Sequence, residues 1–215
     1  MPNLEQSLRL MPRLGDVERP LVLYKVGMLG AAPLDFMPQL ASEYDMPYVS
    51  SDKIRYDLMI QRDTTGMRPD RAQDVPMKDI KGAVHAQLEQ HMQGNQDMAL
   101  DMFGNSPTSR ARLHTIAREG GGLAIGLAIE TPIKVALRRV EAWSEADAFE
   151  IPTNRWARAP LEIAKTMINQ PRRPSRSEGL FFTLDGRGTT DDMLEQVEAY
   201  LYATGLMDRF EDASS

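Results

Sequence analysis

The 215-residue chain contains no cysteine, which excludes disulfides and thiolate metal sites alike. Long apolar runs are missing too. Nothing in the sequence approaches the ~20 consecutive apolar residues of a membrane-spanning helix. Residues 1–20, "MPNLEQSLRLMPRLGDVERP", interleave acids with arginines and hold no apolar stretch of the signal-peptide kind. A cytoplasmic protein with no membrane partner is the expectation. Positive charge is also short: 25 Lys and Arg stand against 31 Asp and Glu, for a formal charge of −6. A broadly basic surface is excluded, so any nucleic-acid contact must be local. The three histidines, His85, His91 and His114, lack metal-ligand spacing and read as ordinary helix residues.

What is present is an alternation of apolar strands and amphipathic helices. "PLVLYKVGML" reads as a buried strand, a short branched run opened by Pro20 and closed by Gly27, and a helix is expected from Pro33 to Tyr44 with Pro33 at its first position. "PYVSSD" gives a second strand running into a helix near Asp52, and "DMALDMF" a third. Residues 62–76 are polar and broken by Gly and Pro, which suits a mobile loop. Ile80, Val84, Leu88 and Met92 mark a helix ended by Gly94. Ser106 caps a further helix with Pro107 inside it, and Gly120–Gly122 stop that helix. "LAIGLAIE" is the fourth strand, followed by a helix with Thr131 as cap; "GLFFTLD" is the fifth, followed by a helix with a Thr189–Asp192 capping box. Repeated strand–helix units require crossovers, hence an α/β fold with a mainly parallel sheet of about five strands and helices on both faces. Ligands gather at the carboxyl ends of such strands, which brings together residues 27–36, 50–55 and 101–110. The expected organisation is an extension over residues 1–19, one domain over 20–207, and an acidic tail over 208–215. In the extension, Leu4, Leu8, Met11 and Leu14 fall at helical spacing suited to docking on the core or on a partner.

The order of "VGMLGAAPLD", "VSSDKIRYDL", "ALDMFGNSPTSR", "ETPIKVALRRV" and "SEGLFFTLDG" resembles the P-loop kinases of the polynucleotide kinase and zeta-toxin type over about residues 20–185. The resemblance implies a three-layer P-loop NTPase-like fold. Gly27 and Gly30 match the glycines of the phosphate loop. Asp52 matches the general base that accepts a substrate hydroxyl proton, with Arg55 beside it. Asp101 and Arg110 match substrate-side positions, although Phe103 and Gly104 stand where a Thr-Asn pair is usual. Arg139 matches a lid arginine; Arg138 adjoins it, and Ala142 and Trp143 stand where a second lid arginine is expected.

The loop departs from that pattern where the chemistry is most demanding. A lysine neutralises the terminal phosphates in such loops and a Ser or Thr hydroxyl holds magnesium. This chain has Ala32, Pro33, Leu34 and Asp35 there. Lys25, two residues before Gly27, reads as a strand-edge surface residue. The expectation is therefore a degenerate phosphate loop, no cofactor or metal, and a pseudokinase that acts as a binding or structural subunit with a protein partner or a second copy of itself. The alternative is an ATP- and magnesium-dependent kinase acting on a hydroxyl of a nucleic acid or small molecule. Arg172, Arg173 and Arg176 form a basic loop that reads as solvated, with a nucleic-acid backbone or acidic partner as the other use.

Overall fold

Alternating side chains along the first strand set the architecture. In the computed structural model, which describes residues 14, 20–65, 75–102, 106–145, 173–175 and 177–211, strand β1 (Leu21–Val26) is covered on both faces. Leu21 and Leu23 join one apolar cluster, and Val22, Tyr24 and Val26 the other. A strand buried on both sides belongs in the middle of a parallel sheet. β1 does pair with β3 (Met98–Asp101) on one side and β4 (Leu123–Glu130) on the other. With β2 (Tyr48–Ser50) and β5 (Leu180–Asp185) the sheet is all parallel, in the order β2-β3-β1-β4-β5.

Helices α1 (Phe36–Glu43) and α6 (Thr190–Thr204) bury Phe36, Leu40, Val197 and Tyr200 against one face. Helices α2 (Ser51–Thr64), α3 (Met77–Gln93) and α4 (Pro107–Glu119) bury Ile54, Val84, Leu88 and Leu113 against the other. α5 (Ile133–Glu145) follows β4, and a short α7 (Asp208–Glu211) ends the described chain. This is the expected α/β fold. Among the described residues no helix is long and apolar enough to cross a membrane.

The predicted caps hold at Ser106, whose hydroxyl accepts from the Ser109 amide at 3.1 Å, and at the Thr189–Asp192 box. The glycine stops at Gly94 and Gly120 hold as well. The start of α1 does not: the helix begins at Phe36, not Pro33. Pro38 supplies the reason. A proline inside a helix lacks the amide for its i−4 carbonyl and clashes with it, and only in the first turn is that amide unneeded. Starting at Phe36 places Pro38 in that first turn. α2 begins with Ser50 as its cap, its hydroxyl facing the Lys53 amide at 3.4 Å, and runs to Thr64. Residues 66–74, most of the predicted loop, lie outside the described residues, as do Phe103, Gly104, Arg172 and Arg176.

Two expectations about single side chains change. Arg110, expected at the substrate, is fully buried and its guanidinium pairs with Glu178, Nε to Oε2 at 2.7 Å, which ties α4 to the turn before β5. His114, one turn along α4, faces Tyr24, whose hydroxyl lies 2.8 Å from its Nε2. The Phe181 ring meets it edge-on, and a Cβ on Gly179 would lie 2.3 Å from Nε2. Burial raises the Tyr24 hydroxyl well above its ordinary range, so the phenol stays protonated against His114. Burial likewise lowers His114 below 6.5, outweighing Glu178, which acts in the other direction.

The sign follows directly: the unfolded chain takes up the His114 proton first, so stability is full above 6.5 and falls as the pH drops below that value. Urea denaturation of the natural protein should lose more stability between about pH 7 and pH 5 than a His114→Phe variant does. Equal pH dependence of the two would contradict the assignment.

Candidate active site at the phosphate-type loop

The loop between β1 and α1 is held by protein atoms. The Ala31 amide donates to the Met28 carbonyl at 3.0 Å, and Gly30 takes a left-handed conformation at φ 78°. A Cβ on Gly30 would lie 2.3 Å from the Ala136 carbonyl oxygen, so glycine there permits both the turn and the approach of α5. Thr131, read from sequence as the α5 cap, donates its hydroxyl to the Ala31 carbonyl at 2.6 Å.

Arg139 completes the arrangement. Its Nη1 donates to the carbonyls of Ala31 and Gly30 at 2.8 and 3.3 Å, and its Nη2 to that of Gly188 at 2.7 Å. One guanidinium therefore joins α5, the loop and the turn between β5 and α6. Asp35 adds a second tie: one carboxylate oxygen accepts from the Thr190 hydroxyl and the other from the Gln39 amide, both at 2.7 Å. It does not cap the α1 backbone.

Under the loop lies a cavity of about 40 Å³, lined by Gly27 to Leu34 with Lys25, Asp52, Asp101, Met102 and Trp143. That is room for a few waters, since one water needs about 10–15 Å³ on this measure. Three of the sequence-predicted groups converge here: the loop, Asp52 and Asp101. Arg110 is not among the lining residues. Lys25, expected at a sheet edge, is a lining residue because β1 is central, and its ammonium sits 2.6 Å from Asp101 Oδ1. Arg55 lies on α2 one turn from Asp52 and pairs with it at 3.3 Å.

Among the described residues the charges facing the cavity are thus one ammonium and two carboxylates. Burial pushes Asp52 above its ordinary 3.8, opposed by Arg55 and reinforced by the Asp101 charge. Pro33 offers no amide and Leu34 no oxygen to a metal. The features that sequence reading missed were Lys25, Met102 and Trp143 as walls. Lys25 was within reach of it, since strands flanked by two parallel neighbours carry their last residues to the ligand end of the sheet.

No protein-family model matches the chain, and no curated protein sequence does. Solved structures do. A gluconokinase from Sinorhizobium meliloti aligns over 93% of this chain and 99% of its own at 14% identity and a TM-score of 0.55. A sugar kinase from Janibacter aligns over 87% and 97% at 15% identity and 0.57. Kti12 from Chaetomium thermophilum, solved with ADP-AlF3, aligns over 83% and 97% at 14% identity and 0.59. The fold is that of the P-loop kinases.

Two substitutions probe this geometry. Arg139→Ala should cost about 3 kcal/mol, because a charged donor to three carbonyls is lost and those carbonyls stay partly buried; Arg139→Lys should recover little of it, since an ammonium lacks the planar fork. Asp52→Asn should raise stability near neutral pH, because burial disfavours the charged carboxylate in spite of Arg55. Below about pH 4 the carboxyl is protonated and the gain should vanish. Calorimetric unfolding across pH reads both.

Proposed function

We propose that this chain is a relative of the polynucleotide kinase and zeta-toxin type that has lost ATP-dependent phosphoryl transfer and serves as a binding or structural subunit. The observation that carries this reading is Arg139. The arginine at the lid position spends its guanidinium on three backbone carbonyls, so the loop is closed and braced by the protein itself.

The rest of the site agrees with that reading. Phosphoryl transfer is catalysed almost wholly by positioning and electrostatics, and removing positioned cations costs several orders of magnitude in rate. Here the lysine and hydroxyl positions hold Pro33 and Leu34, Lys25 is committed to Asp101, and the cavity carries more negative than positive charge. The fold itself is able to hold a nucleotide, as the Kti12 structure with ADP-AlF3 illustrates; the chemistry of the loop is what departs. On this reading neither ATP nor magnesium is a cofactor, and the working partner is a protein subunit or a second copy of the chain.

A second reading, an active kinase phosphorylating a hydroxyl of a nucleic acid or small molecule, draws on Asp52. A mostly buried carboxylate facing the cavity beside Asp101 works against stability, and such groups cluster at working sites.

Calorimetric titration with magnesium and ATP separates the two. The natural protein should show no binding, while Pro33→Lys with Leu34→Ser, which restores the ammonium and hydroxyl, should bind measurably. Magnesium-dependent micromolar binding by the natural protein, with turnover abolished in Asp52→Asn, would establish the second reading and overturn the first.

A further inference from the structure

The outer side of the α1–α6 layer carries a groove of about 570 Å³ lined by Glu43, Tyr44, Leu194, Glu195, Glu198 and Phe210, with Asp191 and Met207 at its ends. Its floor is apolar: Tyr44 is buried, and the Phe210 ring packs on it at 4.8 Å. Its rim is acidic. Asp191, Glu195 and Glu198 recur along one face of α6, and among the described residues none of the four carboxylates is in an ion pair. Burial, with Glu198 and then Glu43, holds the Tyr44 hydroxyl protonated far above its ordinary range, so the acids act on the floor itself.

The chain supplies an occupant. Leu14 is fixed at the end of α6: its amide donates to the Thr204 carbonyl at 2.9 Å, and its side chain packs on the cluster that contains Tyr44 and Leu206. Thirteen residues precede it. Their sequence sets Leu4, Leu8 and Met11 at helical spacing with Leu14 and carries Arg9 and Arg13 against a single acid, Glu5. A helix over residues 1–11 would span about 17 Å and stop before Pro12, against about 22 Å for α6. A tether at one end of the groove also gives the segment an effective concentration near the millimolar range, ahead of any diffusing competitor.

We propose that residues 1–13 occupy this groove in the same molecule, apolar side chains on Tyr44, Leu194 and Phe210 and arginines on Glu195 and Glu198. The assignment is independent of whether the phosphate-type loop binds nucleotide.

The test replaces Leu8 by the photocrosslinker benzoylphenylalanine in the full chain and maps adducts by mass spectrometry. Intrachain adducts on Glu43, Tyr44 or residues 191–210 are expected. Their yield should fall several-fold in Glu195→Arg, Glu198→Arg and return when Arg9→Glu, Arg13→Glu is added. Adducts elsewhere in the chain, adducts only between two chains, or a yield indifferent to the charge exchange would each overturn the proposal; circular dichroism of every variant excludes unfolding as the cause.

Discussion

Three backbone carbonyls from two separate turns converge on one side chain, and the upper edge of the sheet depends on it. Buried carbonyls must find donors. Those of Gly30, Ala31 and Gly188 find the guanidinium of Arg139, with Thr131 also serving Ala31. Because the fork is planar and rigid, it fixes the relative placement of α5, the loop and the β5–α6 turn at once. Gly30 allows α5 to come close enough for this, and Gly186 leaves the space that Thr131 and the Ala31 carbonyl fill. The loop is therefore held in its shape by protein donors.

The same economy governs charge around the cavity. A site built for polyphosphate accumulates cations; here Lys25, Arg55 and Arg139 each have a protein acceptor. Lys25 meets Asp101, Arg55 meets Asp52, and Arg139 meets carbonyls. Farther from the loop, Arg110 is spent on Glu178, where it secures α4 to β5 alongside the Tyr24–His114 contact. Asp52 runs against the trend, since its carboxylate is held in a mostly buried place that disfavours its charge, and burial works against the Arg139 charge as well.

Much of this was legible in the sequence, and the exceptions have physical causes. Periodicity gave the five strands, and local chemistry gave the caps at Ser106 and Thr189, because both signals act over a few residues. Pro33 points to an earlier start for α1, and Pro38, a signal equally local, sets it at Phe36. The ends of Lys25, Arg110 and His114 were not legible, because their partners lie 76, 68 and 90 residues away, respectively, and are chosen by strand order and helix packing. Spacing in a motif located Asp52 and Asp101 near the loop; it had no means of showing that Arg139 turns toward carbonyls.

The most direct test of the account is a crystal structure of the natural protein grown with millimolar magnesium and ATP. The account predicts Arg139 still on the Gly30, Ala31 and Gly188 carbonyls, Lys25 still on Asp101, and no phosphate density beneath the loop. Triphosphate density along residues 27–34, with Arg139 or Lys25 swung onto it, would contradict it.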